Sequence, residues 1–377
     1  MTTTNPPTET PPDIVFSEDQ RTAIDNIFDW LDEDDQEISL GGYAGTGKTT
    51  VLSNVIKRIK VGDELDYEVL CPTGKAAHVL RKKGIREAAT IHSHLYRTFC
   101  DKWGRPHFTL KPYEDIHRDL IIVDEASMVS LRLYNDLVKS ADKILWVGDH
   151  GQLEPIGAHP HIMDDPDIRL EKIHRQALDN PLIDFATKVR LGNQPNPNIR
   201  IDLPELVYTK AKDYKSTAEV NENIIRICAY HKTRVVINEK FRHAQGCGLD
   251  LLCEGEPVIC LRNNPDLGLF NGMIGMVVKV HRQDGVNIIV DVRMDDGIVR
   301  NEVPMLIEQF GAPNNGPKKI PKGSTIWDYA YCITCHKSQG SEWPTVIVYE
   351  QRCKAWTHER WAYTAATRAS EKLIYLH

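Results

Sequence analysis

The residues with the clearest chemical capacity are Gly42-Tyr43-Ala44-Gly45-Thr46-Gly47-Lys48-Thr49, which fit the pattern G-x-x-x-x-G-K-T. Ile38-Ser39-Leu40 ahead of them reads as a short strand, and Val51 to Ile56 behind them has helical periodicity. In that setting the motif is a phosphate cradle. Gly42, Gly45 and Gly47, with Thr46 between the last two, let backbone N–H groups converge on phosphate oxygens. The helix that opens around Thr49 and Thr50 points its positive end at the same charges. Lys48 is placed to reach the β- and γ-phosphates of ATP, and the Thr49 hydroxyl to take one position on Mg²⁺. The competing reading is a glycine-rich turn that happens to precede a lysine. With glycine at about 7% of residues, a chance match is on the order of one in a hundred.

Further polar groups sit where apolar runs end. Leu120 to Val123 is an unbroken apolar strand suited to a parallel sheet buried on both faces, and it runs into Asp124-Glu125-Ala126-Ser127. Downstream of a phosphate cradle, Asp124 suits Mg²⁺, commonly through water, and Glu125 suits polarising an attacking water. A capped helix start is the plainer alternative. Lys143 to Val147 is another strand, ending in Gly148-Asp149-His150-Gly151-Gln152-Leu153-Glu154-Pro155; Gln152 there could sense the γ-phosphate. Val69 to Cys71 ends in Pro72-Thr73-Gly74-Lys75-Ala76-Ala77, small polar groups at a helix start that suit a polyanion backbone. A strand–helix turn with a solvated basic face explains those residues equally well. Gln20 lies early in a helix opened by Ser17, where its amide could pair with both edges of adenine.

The elements that must hold these groups follow from patterning. Ala23, Ile24, Ile27, Phe28 and Leu31 give the first helix an apolar face. Arg97 to Cys100 and His107 to Leu110 can pair as a protruding hairpin around Trp103. A helix is expected from Leu170 to about Leu191. Strands at Arg234 to Ile237 and Thr345 to Tyr349 indicate a second α/β sheet. Between them, residues 246–323 turn all-β, with short β-branched runs separated by Asn271-Gly272, Asp284-Gly285 and Asp296-Gly297, which are hairpin signals.

Composition sets limits. At 377 residues the chain exceeds one core, and the Thr- and Pro-rich residues 1–12 read as a disordered tail. A net charge of −7, from 46 basic and 53 acidic residues, argues against gripping nucleic acid by bulk charge and leaves room for a local groove. Nine cysteines without a disulfide framework fit a reducing, cytoplasmic setting. Cys332-Ile333-Thr334-Cys335 has no second pair at zinc spacing, so core thiols are the better reading. No apolar run approaches the ~20 residues of a membrane span.

Taken in order, these segments resemble the superfamily-one DNA helicases, most closely the Dda-like, RecD-like and Pif-type group that moves 5′→3′. The resemblance runs from Phe16 to Ala369. Phe16 to Gln20 is similar to the adenine-reading Q motif, and Gly42 to Thr49 to the first helicase motif. Pro72 to Ala77 and Thr90 to Ser93 resemble strand-gripping motifs. Asp124 to Ser127 resembles the second motif, Gly148 to Pro155 the third and His174-Arg175-Gln176 the fourth. Thr334 to Glu342 resembles the fifth and Tyr363 to Ala369 the sixth. Glu154 departs from the pattern, standing where the family more often has a proline or a small residue.

The resemblance implies an α/β fold of two RecA-like P-loop NTPase domains. The first would span 13–164 with a pin hairpin at about 96–118. The second would span 165–245 and 324–377, with an SH3-like β-barrel inserted at 246–323. ATP would lie in the cleft, with Lys48, Asp124, Glu125 and Gln152 on one wall. Arg175 and Arg368 would come from the other as arginine fingers, typically worth ~10³–10⁵ in rate, and Glu342 would hold the ribose. Single-stranded DNA would cross both domains at Thr73, His92, Thr334 and His336, with Phe108 and Trp103 as candidates for the wedge. The implied activity is ATP-dependent 5′→3′ unwinding of duplex or fork DNA by a monomer, beside replication or recombination proteins. An ATP-switched single-strand translocase that does not unwind is the alternative. A metabolic P-loop kinase would leave the third, fifth and sixth blocks unexplained.

Overall fold

The computed structural model describes residues 16–62, 65–100, 106–155, 157–172, 180–215, 219–247, 252–312, 320–354 and 356–377. The tail at 1–12, Trp103, and the segment 173–179 with Arg175 lie outside these residues.

The first half contains α1 (Glu18–Leu31), β1 (Glu37–Gly42), α2 (Lys48–Gly62), β2 (Tyr67–Cys71), α3 (Gly74–Lys82), β3 (Ala89–Thr90) and α4 (Ile91–Leu95). The hairpin β4 (Tyr96–Cys100) and β5 (Pro106–Leu110) follows, then α5 (Tyr113–Ile116), β6 (Arg118–Val123), α6 (Leu131–Val138), β7 (Ala141–Gly148) and β8 (Ile168–Leu170). The main sheet has the order β3-β2-β6-β7-β1-β8, and all its pairings are parallel. Ile121, Ile122 and Val123 are fully buried, which is why this strand carries no polar alternation. One buried stripe of α1, formed by Ala23, Ile24, Ile27 and Trp30, covers the sheet. Because the strands are parallel, the loops after β1, β2, β6 and β7 all emerge at one edge, where open α/β sheets bind ligands.

Ile168–Leu170 is a strand and not the start of a helix. Ile168 and Leu170 are buried while Arg169 between them is exposed, a period of two, and the strand pairs with Leu40, Gly41 and Gly42. The first sheet therefore runs beyond the expected boundary at 164. The helix expected from Leu170 is described only as α7 (Pro181–Arg190). There Asn180 Oδ1 accepts from Leu182 N at 2.9 Å and Pro181 opens the first turn, a strong start signal.

The second half contains β9 (Ile201–Asp202), β10 (Leu206–Thr209), β11 (Ile224–Cys228) and α8 (His231–Ala244). An insert follows with β12 (Pro257–Cys260), β13 (Ile274–Gln283), β14 (Asn287–Met294), β15 (Val299–Leu306) and β16 (Trp327–Tyr329). The chain then returns as β17 (Cys332–Thr334), α9 (Cys335–Ser338), β18 (Trp343–Tyr349), α10 (His358–Ala366) and β19 (Ala369–Leu376). The second sheet has the order β17-β11-β18-β19-β10-β9. As expected, Cys332 and Cys335 are core thiols, fully buried, and burial pushes both thiol pKa values up.

Arg234 to Ile237 lies in α8 and is not a strand; Ile224–Cys228 takes the sheet position. Arg234, Ile237, Asn238, Phe241 and Arg242 are the buried face of that helix, spaced at i, i+3, i+4, i+7 and i+8. Three of these are polar, and each has a partner. Arg242 Nε bonds Glu256 Oε1 at 2.6 Å, Arg234 pairs with Asp328, and Asn238 Oδ1 accepts from Cys332 N at 2.7 Å. The helix thus docks through polar contacts onto the insert and the strand that leaves it.

The insert sheet has the order β15-β14-β13-β12-β16, so it reaches past the expected limit at 323. Leu306 N bonds Thr325 O at 2.9 Å and Thr325 N bonds Pro304 O at 2.7 Å, curling the far edge back toward β16. Among the described residues no helix is long and apolar enough to cross a membrane.

Replacing one member of a buried ion pair leaves the other uncompensated, at a cost of about 3–5 kcal/mol. Arg242→Met should therefore lower the urea midpoint sharply, because Glu256 would keep only Tyr331 Oη and Cys253 N as partners. The double substitution Arg242→Met/Glu256→Gln should recover much of the loss. An unchanged midpoint in the single variant contradicts this docking.

Candidate functional site

The phosphate cradle sits between β1 and α2. Gly45 and Gly47 have φ of 81° and 85°, a region that only glycine enters freely. A Cβ on Gly42 would lie 2.6 Å from Thr46 Oγ1. Lys48 Nζ donates to Gly42 O at 2.6 Å and Tyr43 O at 3.1 Å, so the ammonium is folded over the cradle it would share with phosphate. Gln20 is buried behind the loop. Its Oε1 accepts from Ser17 N at 3.1 Å and its Nε2 donates to Thr46 O at 3.2 Å. In this conformation its amide ties the start of α1 to the cradle.

Asp124 and Glu125 emerge at the end of β6. Glu125 has φ 57°, a left-handed conformation that costs on the order of 1–3 kcal/mol for a residue with a side chain. Burial, and then the neighbouring Glu125 carboxylate, push the Asp124 pKa up to about 7. A carboxylate and the Thr49 hydroxyl are the oxygen donors Mg²⁺ prefers. Among the described residues, Ser127 Oγ and Gln152 Oε1 are buried without a hydrogen-bond partner, and both residues line a cavity of about 20 Å³ with Asp149. Buried polar atoms are rarely left unsatisfied, and a cavity of that size suits a single water.

The opposite wall is α10. Ala44 N donates to Tyr363 Oη at 2.8 Å, and Tyr363 Oη donates to Asp149 Oδ2 at 2.8 Å. Leu153 N donates to Thr364 Oγ1 at 2.8 Å, and Gln339 Nε2 to Leu153 O at 2.8 Å. Cradle, third block, fifth block and sixth block are thereby joined across the two halves. A cleft of about 220 Å³ beside this junction is lined by Ala44, Gly45, Glu342, Tyr363 and Thr367, among others. Arg368 is buried and turned back into its own half. Its Nε donates to Thr364 O at 3.0 Å, and its terminal nitrogens to Ser341 O at 3.2 Å and Thr367 Oγ1 at 3.0 Å. Those partners are neutral, and among the described residues no carboxylate pairs with it. Tyr43 was not singled out in the sequence, because its position in the motif is unspecified. Its ring lies 3.5 Å beneath the Arg190 guanidinium and 4.1 Å from the His150 ring.

The candidate nucleic-acid contacts lie along the same edge. Thr73 caps α3, its Oγ1 accepting from Ala76 N at 3.1 Å. His92 packs 5.6 Å from Tyr96 and 5.2 Å from Phe108, and burial lowers its pKa. Phe108 thus rests at the base of the hairpin and is 40% exposed. Further out, Phe99 is 56% exposed and stacks on His107 at 5.3 Å, a pair the sequence reading missed because neither residue stands out alone. Thr334 is buried at the start of α9, and His336 meets Trp356 at 5.2 Å. The insert reaches these turns from above. A Cβ on Gly74 would lie 2.5 Å from Phe270, Lys75 pairs with Asp295 at 3.0 Å, and Lys337 Nζ donates to Asn271 Oδ1 at 2.8 Å.

Comparisons with known proteins bear on the family and the fold. Residues 15–201 match the family described as an AAA domain, and residues 329–376 the UvrD-like helicase C-terminal domain. The chain is 29% identical over 389 residues to the ATP-dependent RecD2 DNA helicase of Deinococcus radiodurans, covering 95% of this chain and 48% of that protein. It is 27% identical over 188 residues to the ATP-dependent DNA helicase dda of Enterobacteria phage T4, covering 47% of this chain and 43% of that protein. The chain therefore spans about half the length of the relatives it matches. In fold it is similar to Pif1 helicase from Bacteroides in complex with ADP-AlF3 and single-stranded DNA. The TM-score is 0.60 at 20% identity, over 96% of this chain and 92% of that one.

The raised Asp124 pKa has a thermodynamic sign. A carboxyl lifted from 3.8 to about 7 costs stability wherever it must ionise: nothing below the lower value, and in full above the upper. Asp124→Asn should remove that cost. Its melting temperature should exceed that of the parent by a few degrees at pH 8 and equal it near pH 4, while hydrolysis is lost. A lower melting temperature at pH 8 contradicts the reading.

Proposed function

The chain belongs to the superfamily-one helicases of the Pif1/RecD/Dda-like group, and from that membership we propose that it is an ATP-dependent DNA helicase, moving 5′→3′ along a single strand and separating the duplex ahead. The observation that carries the proposal is the path from Ala44 N–H through Tyr363 to Asp149. It ties the phosphate cradle of one half to the helix that ends just before Arg368 in the other, as an enzyme coupling hydrolysis to domain movement requires. The descriptions of the RecD2 and dda relatives as ATP-dependent DNA helicases support the same activity.

In this proposal Lys48 and the amides of Gly45 to Thr50 bind the phosphates, Gln20 meets adenine beside the loop it braces, and Glu342 holds the ribose. Thr49 and Asp124 would hold Mg²⁺, which when bound supplies positive charge against the phosphate oxygens. Glu125 takes the proton of the attacking water and Gln152 orients that water. Arg368 must leave Thr364, Ser341 and Thr367 to reach the cleft, so turnover waits on movement; Arg175 is proposed as a second finger. Thr73, His92, Thr334 and His336 follow the DNA backbone. Phe99 and His107 join Phe108 and Trp103 as the wedge, stacking on the base pair at the fork. The two sheets serve as RecA-like domains and the insert as an SH3-like clamp. A monomer inside the cell, acting beside replication or recombination proteins, suits this reading.

A duplex with a 5′ single-stranded tail should be unwound and its 3′-tailed counterpart should not. Phe99→Ala/His107→Ala should slow unwinding at least fivefold while hydrolysis stays close to the parent rate. Unwinding of the 3′-tailed duplex alone contradicts the polarity. Inertness on both, with hydrolysis intact, leaves a translocase that does not unwind.

A further inference from the structure

Glu154 is the residue that departs from the family pattern, and the structure gives it a partner in the other half of the molecule. Its carboxylate pairs with the Arg360 guanidinium on α10. The second terminal nitrogen of Arg360 reaches Asp164 Oδ1 at 3.2 Å, so one arginine spans two carboxylates of the opposite wall. His159 Nε2 stands 3.2 Å from Glu154, and His161 Nδ1 lies 2.7 Å from Asp164. Arg360 also accepts, through its carbonyl, from Thr364 Oγ1 at 2.7 Å, and that oxygen in turn receives Leu153 N.

We propose that the Arg360 bridge to Glu154 and Asp164 is a positioning clasp, one that sets the seat of α10 on the third block and so the reach of Arg368. It rests on the reading of the chain as an ATP-driven helicase. Arg360, Tyr363 and Thr364 occupy one face of the helix at i, i+3 and i+4. They take Glu154, Asp149 and Leu153 respectively. Tyr363 and Thr364 make the buried contacts of this seat, and Arg360 closes its rim. The arginine adds to the register at the rim, because its planar fork meets two carboxylates at once and both contacts are lost if the helix slides. A small residue at 154 would leave that register to the other two contacts. Among the described residues no atom of Arg360, Glu154 or Asp164 is bonded to the phosphate cradle, so the clasp acts through α10 and not on the nucleotide.

Two readouts separate this from the reading beneath it. In hydrogen exchange without nucleotide, Glu154→Ala and Arg360→Ala should each speed exchange at least fivefold in both 149–154 and 360–366, with β6 and β18 unchanged. In steady-state hydrolysis with single-stranded DNA, each variant should lose three- to tenfold in kcat with KM for ATP held. The double variant should be no worse than Arg360→Ala alone, because Glu154 acts through that arginine. Glu154→Gln, which keeps the volume, should fall between. Unchanged exchange, or losses that multiply in the double variant, overturns the clasp whether or not the protein unwinds DNA. Absence of any DNA-dependent hydrolysis in the parent, with the exchange response intact, would instead count against the helicase reading and leave the clasp standing.

Discussion

Asp149 is a carboxylate with almost no exposure at the C-terminal end of β7. Such a group is costly unless its oxygens are bonded. One oxygen is satisfied locally by Gly151 N at 2.9 Å; the other takes a long bond from Gln152 Nε2 at 3.4 Å and a closer one, at 2.8 Å, from Tyr363 Oη, which belongs to the other half of the molecule. The closer bond to that oxygen is therefore made only when α10 is seated on the turn after β7. Because Tyr363 Oη also receives Ala44 N, the phosphate cradle is registered to the same helix. Phosphate cradle, Asp149 and the helix bearing the sixth block cannot shift independently without leaving a buried polar group unpaired.

The edge proposed to face DNA is organised on a similar principle. The insert is locked to its own half by Arg242 with Glu256 and by Arg234 with Asp328, all nearly buried. It touches the first half through Lys75 with Asp295 and through Phe270 against Gly74. Burial lowers the Lys75 pKa, so this lysine is held by the insert and not spread into solvent. A strand entering along Thr73 and Thr334 must share those turns with the insert, which links strand occupancy to the relation between the halves.

Much of this was legible in the residues. The cradle, the Asp124–Glu125 pair and the strands at Leu120, Lys143 and Thr345 announce themselves because continuous apolar runs end in polar chemistry. The hairpin was legible from its two flanking runs. What stayed hidden depended on distant partners. Val235-Val236-Ile237 looks β-forming, while the helical period of α8 is completed by Arg234, Asn238 and Arg242. Those polar residues are buried only because Asp328, Tyr329 and Glu256 meet them from far along the chain. Ile168–Leu170 is too short for its alternation to register without β1 beside it. Glu154 stood out as a departure, but its role needed Arg360, about two hundred residues later, to become visible.

The central claim is that the two walls of the cleft work as one unit whose state depends on a bound strand. Steady-state ATP hydrolysis with and without single-stranded DNA tests it most directly. The coupled cleft predicts slow hydrolysis by the protein alone, rising at least tenfold on addition of single-stranded DNA. Equal rates with and without DNA would contradict it.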